Sequence, residues 1–146
     1  MVTQTLYGFE VIILVFNDTI SIFDSVETDE DVKILQYILE GVYLEKSFGS
    51  SIVIDGEHKN YNATLFIPDS FVSSDRYIKP KLWDKLSFDE KLSNFTIRQN
   101  QVVAPISAPV SYASLDDILN NVDDSFRVIG VDYLDKVLSH FEVLCK

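Results

Sequence analysis

One cysteine, one tryptophan, four prolines and five glycines stand in 146 residues, and each scarcity excludes something. With Cys145 alone, no internal disulfide can form, and a reducing cytoplasm is the natural place of folding. Five scattered glycines make no phosphate-cradling loop, and no Gly-x-Ser-x-Gly elbow occurs. Two histidines without cysteine partners, His58 and His140, are a poor zinc set. Basic residues are also few: 12 Lys and Arg face 23 Asp and Glu, for a net charge of -11. Nucleic-acid binding draws its affinity from Lys and Arg neutralising phosphates, so this balance weighs against it. It equally disfavours an anionic membrane surface, and the sequence shows no local Lys/Arg cluster. Long apolar runs are missing too. Val11 to Phe16 is apolar but ends at Asn17-Asp18, whereas a membrane helix needs about 20 such residues. A signal peptide would want basic residues before that run and small ones after it, and Glu10 and Asn17-Asp18-Thr19 supply neither. The expectation is a chain without targeting segment or membrane contact, in which the sequons at Asn17, Asn62 and Asn94 are chance occurrences.

What is present is core material. The chain is 47% hydrophobic, with ten Phe and seven Tyr. At this length it can bury about two thirds of its unfolded surface, so a single domain over 1–146 is expected, without metal or cofactor. Leu6 to Phe16 reads as one strand with Gly8 as a bulge, extended by Ile20 to Phe23 after a turn. Asp24 to Asp31 reads as an acidic surface loop. Lys33 to Lys46 is ambiguous: Ile34, Leu35, Ile38, Leu39 and Val42 fit a helical face, while Gly41 and Val42-Tyr43 favour a strand. Strand is the preferred reading. Ser51 to Ile54, the Asp55-Gly56 turn and Tyr61 to Ile67 form an expected hairpin, with Ala63, Leu65 and Ile67 on one face and Pro68 as its stop. Pro80 to Leu86 is expected to make one helical turn. Ser87-Phe-Asp-Glu90 and Ser114-Leu-Asp-Asp117 have capping-box spacing, each predicting a short helix. Phe95 to Arg98 and Gln101 to Ala104 flank a Gln99-Asn100 turn, and Ser125 to Tyr133 and His140 to Cys145 read as two closing strands. The fold class is mainly β: a small antiparallel β-barrel or sandwich with two short helices.

Chemistry is harder to find. His140 and Cys145 invite a thiol–base pair, but an odd separation on one strand sends them to opposite faces. A buried small cysteine and a turn-edge histidine are the simpler reading. The patch of Asp24, Glu27, Asp29, Glu30 and Asp31 lacks the spacing and the distant bidentate Glu of a calcium loop. Asp116-Asp117 and Asp123-Asp124 fall where a helix N-terminus and a turn want carboxylates anyway. An acidic hydrolase would need two carboxylates about 5–9.5 Å apart in a cleft. Trp83 reads as an anchor holding a short helix on a sheet rather than as a recognition residue. No catalytic, cofactor-binding or metal residue is assigned, and the chain is not expected to be an enzyme.

Several pieces, in order, resemble one family of proteins. They are Thr5-Leu-Tyr7, Leu39-Glu-Gly-Val-Tyr-Leu-Glu45, Ala63-Thr-Leu-Phe-Ile-Pro68, Tyr77-Ile-Lys-Pro-Lys-Leu-Trp83 and Phe95-Thr-Ile97. The ending follows, Ser125-Phe-Arg-Val-Ile-Gly-Val-Asp-Tyr and His140-Phe-Glu-Val-Leu-Cys-Lys146. In this order they are similar to small minor structural proteins of tailed bacteriophages and prophages, of the stopper-like head–tail connector type. The chain departs from that pattern after Ile97, where Asn100-Gln101 replaces a Gly-Asp turn and Val103-Ala104-Pro105 a Val-x-Gly.

The resemblance implies a virion protein, made in the bacterial host cytoplasm, that forms a homo-oligomeric ring. Portal or adaptor would lie on one side of it and tail-completion or tail-tube proteins on the other. Packaged DNA would pass through without specific binding, since an acidic ring repels phosphates. Apolar edge strands such as Leu6 to Phe16 would pair between neighbours, and loops near Asp69 to Tyr77 or Asp24 to Asp31 would order on assembly. A minor capsid or tail-completion protein of the same particle is the near alternative. A jelly-roll-like ligand-binding module, marked by clustered exposed aromatics, is the alternative from another class.

Overall fold

The computed structural model describes residues 2–6, 9–13, 16–46, 62–72, 74, 76–134 and 139–146; for 2–6, 9–13 and 72 it describes the backbone. The expected hairpin over Ser51 to Ile67, with its Asp55-Gly56 turn, and the Gly8 bulge lie wholly or partly outside these residues.

Two strands, β1 (Val2–Leu6) and β2 (Phe9–Ile13), pair with each other in antiparallel register from Val2↔Ile13 to Leu6↔Phe9. The single strand expected over Leu6 to Phe16 is therefore a hairpin arm. Within a continuous apolar run, period alone cannot show where the chain turns back. Among the described residues this ribbon forms its own two-stranded sheet.

The remaining strands are β3 (Asp18–Glu27), β4 (Val32–Lys46), β5 (Ala63–Pro68), β6 (Val102–Ala104), β7 (Phe126–Leu134) and β8 (His140–Cys145). They close into an antiparallel barrel in the order β3-β4-β5-β8-β7-β6, as the β-rich composition led us to expect. The ladder is staggered: partners followed once round from Lys46 return to β4 at Leu35. Such a shear tilts the strands and lets side chains fill the interior. Ile20, Ile22, Val42, Ala63, Leu65, Ile67, Val128 and Val143 line it and are all but inaccessible.

Two glycines set the register. Gly41 holds φ at +82°, a left-handed conformation that L side chains resist, and it coincides with the register shift opposite Asp18/Thr19. Before it the buried positions are Leu35, Tyr37 and Leu39; after it the phase switches to Val42. That slip produces the helix-like spacing which made Lys33 to Lys46 ambiguous. Gly130 marks a second shift in β7, opposite Leu144.

Four short helices occur among the described residues, rather than two. Pro68 ends β5, and α1 (Asp69–Val72) follows with Asp69 at its N-terminus, where a carboxylate suits the helix dipole. The Asp69 to Tyr77 stretch is thus partly helical within a single chain. Pro80 opens α2 (Pro80–Trp83). Ser87 caps α3 (Phe88–Ser93) with a full capping box: its Oγ accepts from the Glu90 N–H at 3.3 Å while its own N–H donates to Glu90 Oε1 at 3.1 Å. Ser114 caps α4 (Leu115–Asn121) through the Asp117 N–H at 3.1 Å.

Residues 76–98 form a closed loop over one end of the barrel. A parallel bridge joins Tyr77 to Phe95, with N–H···O bonds from Ile78 to Phe95 and from Phe95 to Arg76, both 2.9 Å. Phe95 to Arg98 is therefore part of this cap, and the expected Gln99-Asn100 turn, with Asn100 at φ +76°, leads from it to Val102–Ala104. Trp83 enters the core fully buried and meets Tyr37 edge-on, ring centroids 5.8 Å apart. It is the anchor that the sequence led us to expect.

The outer face of β3 is covered as well. Phe23, Val102, Ala104 and Ile118 form a second core beneath α4. The stretch after Pro105 is strapped down by Ser21 Oγ, which donates to Ile106 O at 2.6 Å. Gln36 donates to Ala108 O at 3.0 Å and accepts from the Val110 N–H at 2.9 Å.

Candidate interaction surface

The residues weighed for chemistry fall in different places. Cys145 lies inside the barrel, and burial pushes its thiol up to about 12, far from a working thiolate. His140, on the same strand, faces the other way, against the Phe66 ring and 3.2 Å from Glu142 Oε1. The expected opposition of the two is what β8 builds. His58 lies outside the described residues. Asp116 pairs with Arg127 at 2.8 Å, Asp117 accepts from Asn121 at 2.8 Å, and Asp124 sits at φ +58° in a turn, 3.0 Å from Lys46. Among the described residues no group of three or more His, Cys, Asp or Glu could hold a metal ion. No helix among them is long and apolar enough to cross a membrane.

The acidic patch divides in two, which its reading as one surface loop did not foresee. Asp24 belongs to β3 and is buried at the end of the barrel. Arg98 binds it through Nε at 3.0 Å and Nη2 at 3.2 Å, and reaches Asp84 through Nη1 at 2.7 Å. Burial works against the guanidinium charge, but its bonds to Asp24 and Asp84 outweigh that and raise its pKa. Gln101, also buried, donates to Asp24 Oδ2 and Thr96 O and accepts from the Arg98 N–H. This network locks the cap to the barrel. The other half, Glu27 to Asp31, forms the exposed tip of the β3–β4 hairpin. Its turn is fixed by Thr28, whose N–H and Oγ1 both donate to Asp31 O, at 2.8 and 2.9 Å.

Three buried polar atoms near the cap find no hydrogen-bond partner among the described residues: Tyr37 OH, Trp83 Nε1 and Thr96 Oγ1. Burial first, and Asp24 second, hold the Tyr37 hydroxyl well above its ordinary pKa.

Among the described residues a concavity lies where the cap meets the β7–β8 end. It is an apolar groove of about 720 Å³ between Tyr77, Pro80 and Leu82 on one side and Tyr133 and Phe141 on the other. Tyr133 and Phe141 pack with tilted rings 5.0 Å apart between centroids, and Tyr77 and Phe141 likewise at 5.7 Å. The Tyr133 hydroxyl donates to Asp69 Oδ1 at 2.6 Å, which fixes the ring as a wall. Leu82 is 56% exposed and Tyr133 46%, so this apolar surface meets solvent rather than core. Lys79 and Lys81 stand at its rim, both exposed. Sequence reading missed this groove; the only signal was the crowding of Tyr77, Leu82 and Trp83 around Pro80.

A protein-family model described as "Family of unknown function (DUF6751)" matches residues 14–146. No curated protein and no solved structure matches the chain.

Proposed function

We propose, for a chain that belongs to DUF6751, a family of unknown function, the role of a structural subunit in the head–tail connector of a tailed bacteriophage. In this reading it is a stopper or head-completion protein that acts by forming a ring between portal and tail. The observation that carries the reading is the β1–β2 ribbon, which pairs as a two-stranded sheet separate from the closed barrel. A two-stranded ribbon is marginal by itself, and pairing with a neighbouring copy completes it. The ordered resemblance supports the same reading, and one of its pieces, Tyr77 to Trp83, lies in the cap and lines one wall of the groove. An acidic ring suits a channel for DNA, since like charge keeps phosphates from adhering.

Deleting the gene in its source phage or prophage and imaging the lysate by negative-stain microscopy tests this. Free tails beside heads that have lost their DNA are the expected result. Filled heads without tails would move the role to the tail-joining surface, as for a tail-completion protein. Normal, infectious particles would overturn the connector role. The groove favours one second reading, a ligand-binding module, because Tyr77, Tyr133 and Phe141 cluster there. Normal particles together with saturable binding of a glycan to that groove would establish it.

A further inference from the structure

Charge is unevenly spread over this acidic chain. The cap, residues 76–98, holds six of the twelve basic residues: Arg76, Lys79, Lys81, Lys85, Lys91 and Arg98. Only Asp84, Asp89 and Glu90 oppose them, so the cap carries +3 in a molecule of -11. The absence of any run of adjacent Lys and Arg hid this patch. The β3–β4 tip is its converse. Over residues 27–33, Glu27, Asp29, Glu30 and Asp31 stand against Lys33, a balance of -3. Lys33 lies 3.5 Å from Asp31, which leaves Asp29 and Glu30 at the crest. Beside them Val32 is 53% exposed, an apolar side chain at the head of a strand.

The two features sit at the same end of the barrel on opposite sides. β3 and β7 run in the same direction, because each is antiparallel to β6. The β3 tip and the β7–β8 groove therefore lie at the end toward which both strands run. Around the barrel, β8 is three strands from β3, so a tip faces away from its own groove. A patch that complements a different patch across the molecule makes a head-to-tail contact, which closes into a ring when the rotation permits.

We propose that the groove between Tyr77, Leu82, Tyr133 and Phe141 is a socket for the β3–β4 tip of a second copy of this chain. Val32 of the tip covers the exposed Leu82 and Tyr133, and the carboxylates of Asp29 and Glu30 meet Lys79 and Lys81. Both partners are formed before they meet: Thr28 fixes the tip, and Asp69 holds the Tyr133 wall. Little ordering is then needed on binding. The inference rests on the ring-forming reading and adds the surface by which the ring is made.

Light scattering on the full chain, across protein concentration and at low and high salt, tests it with two charge reversals. One is Lys79→Glu with Lys81→Glu; the other is Asp29→Lys with Glu30→Lys. All four side chains are exposed, and the buried Trp83 reports by fluorescence that each variant is folded. The expected result is a wild-type oligomer weakened by salt, self-association weakened about tenfold or more by either reversal, and recovery when the two variants are mixed. A Val32→Cys/Leu82→Cys pair should cross-link between copies under oxidation, with Cys145 shielded in the core. An oligomer indifferent to both reversals would overturn the socket while leaving the ring reading intact. A wild-type chain that stays monomeric and does not cross-link overturns the socket too, and phage assembly then decides the ring separately. Reversals that each weaken the oligomer yet fail to rescue each other would overturn the pairing of tip with groove.

Discussion

Arg98 grips Asp24 with two nitrogens, at 3.0 and 3.2 Å, across 74 residues of sequence. This pair joins the end of the cap to the second half of β3, with the Asp24 side chain only 6% exposed and that of Arg98 28%. Removing one member strands the other. Arg98→Ala leaves a buried carboxylate with Gln101 as its remaining partner, and a loss of about 2–4 kcal/mol is expected in urea unfolding. Asp24→Asn combined with Arg98→Ala should cost less than the sum of the single changes. Strict additivity would show that the contact contributes nothing.

Tyr37→Phe should leave stability unchanged or raise it slightly. The hydroxyl is buried without a partner among the described residues, so its loss removes a desolvated group and keeps the ring contacts with Trp83 and Phe95. A loss above about 1 kcal/mol would mean that the hydroxyl is bonded in solution.

Alkali should destabilise the fold earlier than titration of exposed groups would. The Cys145 thiol rises from 9.0 to about 12 on burial. Its contribution is complete below pH 9 and falls as pH climbs toward 12, because the unfolded chain sheds that proton first. Tyr37 acts in the same sense from pH 10 upward. Each group alone gives a slope of about 1.4 kcal/mol per pH unit within its window. Urea midpoints at pH 8, 9.5 and 11 measure it, and Cys145→Ala with Tyr37→Phe should flatten the fall. An unchanged slope in that double variant would assign the effect to other groups.

Trp83→Ala should cost about 3–5 kcal/mol, since the fully buried indole is what seats the cap on the barrel. As the only tryptophan, it should also emit at short wavelength when folded and shift to the red on unfolding, in step with the far-ultraviolet signal of the strands. A red shift well before loss of β signal would show that the cap unfolds separately.

Gly41→Ala tests backbone rather than space. Among the described residues a β-carbon there would meet nothing closer than Phe16 O at 3.9 Å, but φ of +82° costs an L residue about 1–2 kcal/mol. A neutral substitution would mean that the bulge relaxes.

Features governed by local chemistry were legible in the sequence. The Pro68 stop, the Pro80 turn, the Ser87 and Ser114 caps, the one-sided burial of Ala63, Leu65 and Ile67 and the sheet at the end of the chain each depend on a few adjacent residues. So does the mainly β class, which follows from composition and period. Tertiary structure alone decided which edges meet. The pairing of β3 with β6 that closes the barrel and the phase change at Gly41 depend on partners distant in sequence or on a backbone angle. The same holds for charge. Asp24 and Asp29 stand in one acidic stretch, yet one is buried on a guanidinium and the other crests an exposed tip. Electrostatic character belongs to a site in space, and the groove between Tyr77 and Phe141 arises only when the fold brings together residues 64 positions apart.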